Sequence, residues 1–428
     1  MHDPRVLRDR IEELREALRR RGAWDALAPA IQTAESLDLE RRALIQATDE
    51  RKALRNSNAQ DVARRKRAGE DAADLIAAGR ALGEEIGRLE TELKTCEETL
   101  ERTLLEIPNI TLAQVPAGDA THNVIVRDWG TPRTGPGLAP HWEIGERLGI
   151  IDLPRAAKVS GSGFVFYRGA GARLVRALLG FFMDVHREEH GYEEIWPPQL
   201  VSRATMTGTG QLPKFEDDAY GTRGDDLFLI PTAEVPVTNL YRDEIIAGEQ
   251  LPMAFQAYSR CFRREAGSAG KDTRGILRTH EFDKVELVRY STPEASGDQL
   301  ELLTRHAETM LERLELPYRR VLLAAGDTGF SSAMTYDLEA WAPGVRKWLE
   351  VSSCSTFTDY QARRAALRFR PAPGEKPEYV HTLNGSALAL PRVVAALLET
   401  YQQEDGSVLV PEALRPYVGI ERLRPVAD

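Results

Sequence analysis

Between Tyr258 and Arg289 the chain reads YSRCFRREAGSAGKDTRGILRTHEFDKVELVR, its densest run of side chains able to do chemistry. Two strand-like halves flank a loop containing Gly and Ser, a composition that closes an antiparallel hairpin. Side chains two apart on a strand share a face. Arg263 with Glu265, and Phe282 with Lys284 and Glu286, should therefore line one surface. A guanidinium, an aromatic ring and two carboxylates there suit a nucleotide together with a small cationic or hydroxylated ligand. An exposed hairpin laced with cross-strand ion pairs would use the same residues, and for a hairpin taken alone it is the commoner arrangement.

What must position such a surface is a chain of 428 residues, long enough for two or three domains. No phosphate loop of the GxxxxGK[ST] type occurs, so a nucleotide would have to be held by side chains. Cys96, Cys261 and Cys354 are far apart and odd in number. That spacing suggests neither a disulfide framework nor a structural zinc site and fits a reducing compartment. No apolar run approaches the ~20 residues of a membrane helix, and the charged N-terminus lacks a signal core. The expected location is cytoplasmic, with no membrane partner. A net charge of −10 argues weakly against nucleic acid, because phosphate backbones respond to local patches. Basic patches are present at Arg19-Arg20-Arg21 and at Arg64-Arg65-Lys66-Arg67.

From about Thr33 to Glu106 the chain has no proline and is rich in Ala, Leu, Glu and Arg, the composition of long helix. Leu75, Leu82, Leu89 and Cys96, with Ile86, Leu93 and Leu100, keep a heptad and form a coiled-coil seam. Leu37, Leu44 and Leu54 mark the first half less cleanly. Gly69 and the basic cluster place a turn between the halves. Two helices of about 30 residues, each roughly 45 Å long, would make an antiparallel hairpin with a basic tip. Prolines and glycines from Pro108 to Pro140 then end the helical region. Beyond it, a helix over Gly171–Glu189 is followed by strands at Leu227–Ile230, Ala254–Phe262, Lys284–Tyr290 and Tyr318–Leu323, and by a helix over Pro391–Tyr401. Strands without regular crossover helices predict an α+β antiparallel domain.

The string FRREAGSAGKDTRGILRTHEFDKVE resembles motif 2 of the class II aminoacyl-tRNA synthetases, and of their serine-specific branch in particular. The resemblance runs along nearly the whole chain. It includes HWEIGERLGIIDLPRAAKVSGSGFVFYRG at 141–169, TGTGQLPKF at 207–215 and PTAEVPVTNLYRDEII at 231–246. It continues in EVSSCSTFTDYQARRA at 350–365, HTLNGSALALPR at 381–392 and YQQEDGSVLVPEALRPYVG at 401–419. The resemblance implies a class II antiparallel sheet with flanking helices over 109–428. It also implies a tRNA-binding domain over 1–108 carrying the helical arm. The implied activity is ligation of serine to tRNA(Ser), and also to tRNA(Sec), through a seryl-adenylate.

Roles follow from the same resemblance. Arg263 would contact the α-phosphate, where a fixed, permanently charged fork stabilises the charge built up as serine's carboxylate attacks; it also counts among the serine contacts. Glu265 would accept from the adenine amino group, and Phe282 would stack on the purine. Arg264 belongs with the ATP residues by its place in the motif, although it should point away from the ATP face. Arg392 would meet the γ-phosphate. Glu350 and Ser353, with Val351 and Ser352 between them, would hold Mg²⁺ among the phosphates. Serine would be read by Thr232, Ala233, Glu234, Glu286, Asn384 and Ser386, with Glu234 toward the ammonium and Glu286 toward the hydroxyl. Arg64, Arg65, Lys66 and Arg67 would touch tRNA.

Two departures stand out in motif 3, where Ala387 and Pro391 replace glycines of many members. Pro198 matches the proline of motif 1, which implies a homodimer; an edge-strand proline is the plainer reading. His122, His141, His280 and His381 lack metal-ligand spacing and read as packing or hydrogen-bonding residues. Cys261 and Cys354 read as small buried residues. Two rivals remain. An amino acid:carrier-protein ligase would lack the long arm, and a non-catalytic relative would have lost Arg263, Glu286 or Arg392.

Overall fold

The structure, a computed structural model, describes residues 1–266 and 274–425. The centre of the Gly- and Ser-containing loop, 267–273, lies outside the described residues. The chain divides into two compact units, Met1–Pro108 and Asn109–Asp428.

In the first unit, short helices Val6–Asp9 and Ile11–Arg20 precede α1 (Trp24–Arg67) and α2 (Ala73–Leu105), which pack together as an antiparallel hairpin. The predicted seam on α2 is real. Ile86, Cys96 and Leu100 are buried, and Leu75, Leu82, Leu89 and Leu93 are half-buried. On α1, Leu37 and Leu44 are half-buried, but Leu54 is 51% exposed and leaves the seam. The first helix is longer than expected: 44 residues, starting nine before Thr33 and carrying Pro29 inside it. A proline so near the start removes one backbone donor, while Ile31 and Ala34 just beyond it are fully buried and hold the helix in place. Polar ties add register along the hairpin. Asn58 Nδ2 donates to the Leu75 carbonyl at 2.8 Å, and Arg51 pairs with Glu85 at 2.8 Å.

The second unit is built on a sheet that, among the described residues, has eight strands. In chain order the elements used below are β1 (Val124–Trp129), α3 (Ala170–Glu188), β2 (Glu193–Glu194), α4 (Arg203–Thr209), α5 (Glu234–Thr238), β3 (Met253–Phe262) and β4 (Glu281–Ser291). They continue with α6 (Ser296–Arg313), β5 (Tyr318–Leu322), β6 (Met334–Ala342), β7 (Lys347–Thr358), α7 (Tyr360–Arg364), β8 (His381–Ala389) and α8 (Leu390–Tyr401). The strand order is β1-β5-β6-β7-β8-β4-β3-β2, antiparallel throughout except for β2 beside β3. The expected α+β class is therefore found. Leu227–Leu229 pairs instead in a small three-stranded sheet.

One face of the large sheet is apolar. Leu178 and Phe182 of α3, Leu303 and Met310 of α6, and Val394 and Leu397 of α8 pack with Val285, Leu287, Leu338 and Cys354. Alternation then turns Phe282, Lys284 and Glu286 to the other face. One glycine keeps this arrangement tight. A Cβ on Gly385 of β8 would lie 2.3 Å from Leu303 Cδ2 and 2.9 Å from Cys354 Sγ, so only glycine lets α6 sit this close behind the strand that carries Asn384 and Ser386.

Candidate active site

The polar face of β4, β8 and β7 floors a cavity of about 620 Å³. Of the residues singled out above, Thr232, Glu234, Arg263, Glu265, Phe282 and Glu286 line it. So do Glu350, Val351, Ser352, Ser353, Asn384, Ser386 and Arg392. Arg264 and Ala233 do not. Arg264 is exposed and its N–H donates to the Asp218 carbonyl, while Ala233 is fully buried in an apolar cluster. Pro391 sits in the first turn of α8 and also lines the cavity, and Ala387 is buried in the core.

At the wide end, β3 stops at Phe262, so Arg263 and Glu265 do not share a strand face as predicted. The Arg263 N–H still donates to the His280 carbonyl, at 2.9 Å, but the Arg264 N–H turns to Asp218 and Glu265 adopts a φ of 53°. Leaving the ladder brings both side chains into the cavity anyway. The Arg263 guanidinium lies 5.1 Å from the centre of the Phe282 ring, and Glu265 accepts from Arg278 at 2.7 Å. His280 Nδ1 faces the Arg263 carbonyl at 3.0 Å, a hydrogen-bonding histidine as expected. Arg392 Nη1 donates to the Glu350 carbonyl at 2.8 Å and lies 3.3 Å from its carboxylate, while Nε donates to the Leu277 carbonyl at 3.2 Å. Arg392 thus ties α8, β7 and the return limb of the hairpin together.

The narrow end is a buried polar pocket. Glu286 accepts from Thr232 Oγ1 and from Asn384 Nδ2, each at 2.9 Å, and is ion-paired with Lys284. In the sheet it sits opposite Ser386 of β8 and Ala257 of β3. Glu234 starts α5, and its carboxylate accepts from Gln361 of α7 at 2.7 Å. Burial pushes the Glu234 carboxyl up to about 7, the charge of Glu286 pushes the same way, and Gln361, Lys284 and Arg263 oppose it. Two carboxylates in one pocket with two cations near them can receive a cation and a hydroxyl while excluding apolar groups. Behind the strands, Cys261 and Cys354 are fully buried, with the Cys354 thiol pushed up to about 12 by burial; neither is a nucleophile.

Three contributors were not singled out from sequence. Lys284 was seen only as a face-mate. Gln361 lies inside the quoted TDYQARRA string, but nothing in its type or spacing marks it. Asp337, on β6 opposite Ser353, is the third. Its Oδ1 is buried without a hydrogen-bond partner among the described residues, and burial and the Glu350 charge hold the carboxyl well above its ordinary range.

This geometry can be set beside known proteins. Residues 1–111 match the family model described as the seryl-tRNA synthetase N-terminal domain. Residues 214–401 match the tRNA synthetase class II core domain (G, H, P, S and T). The chain is 63% identical over 420 residues to the serine--tRNA ligase of Gemmatimonas aurantiaca, covering 98% of this chain and 99% of that one. It is 56% identical to the serine--tRNA ligase of Geobacillus kaustophilus, with coverage of 98% and 99%. Among solved structures, seryl-tRNA synthetase from Pyrococcus horikoshii complexed with ATP superposes with a TM-score of 0.94 at 38% identity, covering all of both chains. On identities this high over almost its entire length, the chain belongs to the seryl-tRNA synthetase family.

Proposed function

We propose that the chain is an ATP-dependent serine--tRNA ligase that forms seryl-adenylate from L-serine and ATP and passes the seryl group to tRNA(Ser), and to tRNA(Sec) where that tRNA exists. The observation that carries this reading is the single cavity joining a cation-and-ring platform at Arg263 and Phe282 to the two-carboxylate pocket of Glu234 and Glu286. ATP fits the platform. Phe282 offers a ring for the purine, Glu265 an acceptor for its amino group, and Arg263 and Arg392 forks for the α- and γ-phosphates. The ATP complex of the Pyrococcus horikoshii relative supports that choice of nucleotide. Serine's ammonium would meet Glu234, and its hydroxyl would donate to Glu286, with Thr232, Asn384 and Ser386 completing the pocket.

The first step joins a serine carboxylate oxygen to the α-phosphorus, and pyrophosphate leaves. The nucleophile is already an anion, so no protein base is required. Positioning and charge neutralisation by Arg263 supply the rate. The residues present also fit Mg²⁺: Glu350 and Ser353 give hard oxygen donors, and Asp337 adds an unpartnered buried oxygen beside them. Among the described residues no group of three or more His, Cys, Asp or Glu is placed to hold a metal. A cation shared with triphosphate needs only one or two carboxylates from protein. When bound, it would neutralise phosphate charge and favour departure of pyrophosphate.

The two units divide the work: residues 1–108 bind tRNA through the arm, and 109–428 carry the chemistry. Trp196, 76% exposed and two residues before Pro198, is a surface that a second copy would cover in a homodimer. Free, buried cysteines suit the cytoplasm. The deciding assay is amino acid-dependent ATP–pyrophosphate exchange. Serine should drive it while threonine, alanine and glycine do not; no exchange at all, or preference for another amino acid, would overturn the assignment.

A further inference from the structure

Gln361 stands behind the serine pocket and does not line it. We propose that it is a positioning residue for the substrate: its amide holds the Glu234 carboxylate aimed at the α-ammonium of serine. This rests on the reading above, in which Glu234 faces that ammonium. The Gln361 amide has one orientation open to it. The Glu234 carboxylate and the Thr209 carbonyl suit donors, so the NH₂ must face them, at 2.7 and 3.2 Å. From the other side the Thr382 hydroxyl donates to the amide oxygen at 2.7 Å. Thr209, Gln361 and Thr382 are all buried, where a fixed polar network is stiff and an unmade bond is costly. Among the described residues Gln361 is the one side chain that donates to the Glu234 carboxylate, through Oε1. The second oxygen is left for the ligand.

The bond also acts on charge. The ionisable groups working on Glu234 are Glu286 and Lys284 from β4 and Arg263 beyond the end of β3. Thr209 at the end of α4 and Thr232, two residues before α5, also reach the pocket. On α7 itself, Arg363 pairs with Asp359 at 2.7 Å, and Arg364 donates to the Thr207 and Leu212 carbonyls. Burial and Glu286 push the Glu234 carboxyl up, and with the hydrogen bond from Gln361 among the groups opposing them it stands at about 7. A protonated Glu234 cannot hold an ammonium, so serine affinity should fall as the pH drops below about 7. Loss of the Gln361 bond should move that fall to higher pH.

The test is ATP–pyrophosphate exchange by the full-length protein between pH 6 and 9, for wild type, Gln361→Met and Thr382→Val. Gln361→Met keeps the length of the side chain and loses the amide. Its serine KM should rise roughly tenfold or more, and the acidic limb of kcat/KM should shift up by about one pH unit. The KM for ATP should stay within about twofold, which also shows that the fold survives. Thr382→Val, which only unlatches the amide oxygen, should move both readings the same way by less, and it carries the test if Gln361→Met does not fold. A purely structural role would lower the active fraction and leave serine KM and the pH limb in place; that result in either folded variant overturns the proposal alone. Absence of serine-dependent exchange in the wild type overturns the functional reading, and this proposal with it.

Discussion

Arg263 is the residue whose loss should matter most, because in the proposed reaction its charge would face the bond being made while its backbone holds no core. It is exposed, lies over the Phe282 ring and is tethered at both backbone groups to His280. Arg263→Ala should cut serine-dependent pyrophosphate exchange by about 10²–10³. Thermal unfolding should stay within a degree or two of wild type, as for most surface substitutions. Arg263→Lys should recover little, since a point charge cannot fork onto two phosphate oxygens. A full recovery by lysine would show that charge alone is enough. This residue was legible in the chain, as were Glu234 and Glu286, because motif strings carry identity. Their states were not. Glu286 is held by Lys284, Thr232 and Asn384, whereas Glu234 has burial and the Glu286 charge against it and the Gln361 amide, with the Lys284 and Arg263 charges, in its favour. That difference depends on which groups the fold brings within 3 Å, and Gln361 comes from 127 residues away.

Elements were read best where a pattern repeats and worst where a strand ends. The heptad on α2 predicted its buried stripe, and alternation along β4 predicted that Phe282, Lys284 and Glu286 share a face. The proline-free stretch from Thr33 predicts too short a first helix, because packing of Ile31 and Ala34 carries the helix through Pro29. Strand β3 ends at Phe262 as its sequence predicts, but Arg263 and Glu265 do not extend its face, because the next N–H, that of Arg264, goes to Asp218, which nothing in the local sequence reveals. The longer α1 also corrects how the arm should be cut. Ion pairs such as Arg51–Glu85 and Arg41–Glu97 show which levels of the two helices face each other. Replacing residues 48–90 by a short glycine-rich link therefore removes the distal arm without unpairing its base. Exchange should remain within about twofold of wild type, while tRNA charging falls on the order of a hundredfold as phosphate contacts are lost. Equal loss of both activities would contradict the division of labour. At the tip, Arg64 is paired with Asp61 and Arg65 with Asp74, while Lys66 and Arg67 are exposed. The last two are therefore the better single substitutions for weakening tRNA binding.

For the whole molecule, a net charge of −10 leaves RNA binding to local surfaces, and acid sensitivity has a local source too. His186 of α3 and His306 of α6, both buried, cluster with half-buried His190 just beyond α3. His190 Nδ1 lies 2.9 Å from His186 Nδ1, and its ring stacks on His306 with centroids 3.9 Å apart. The Tyr192 hydroxyl sits 3.1 Å from His306 Nδ1. Burial pushes His186 well below its ordinary range and His306 down to about 3, with neighbouring His190 and arginine charges adding to the effect. The unfolded chain takes up a proton on each near pH 6.5, and the native chain does not until far lower. Between those values the unfolded state holds more protons, so stability is full above about 6.5 and falls as the pH drops toward about 3. The limiting slope is about 1.4 kcal/mol per pH unit for each such histidine. Carboxylates held low by arginine, such as Glu312 beside Arg305, act in the same direction but only as the pH falls through and below about 4.5. The raised carboxyls of Glu234 and Asp337 act the other way, because the native chain takes up their protons before the unfolded chain does, so the histidine share is read from the difference between wild type and a variant that lacks one histidine. Urea unfolding of the catalytic unit, followed in the full chain at pH 7.5, 6.5 and 5.5, should show little change over the first interval and a loss of about 1–2 kcal/mol over the second. His306→Gln cannot titrate, and it should flatten the second interval by roughly the share of one histidine. A variant that loses stability as steeply as wild type between pH 6.5 and 5.5 would assign the acid response elsewhere.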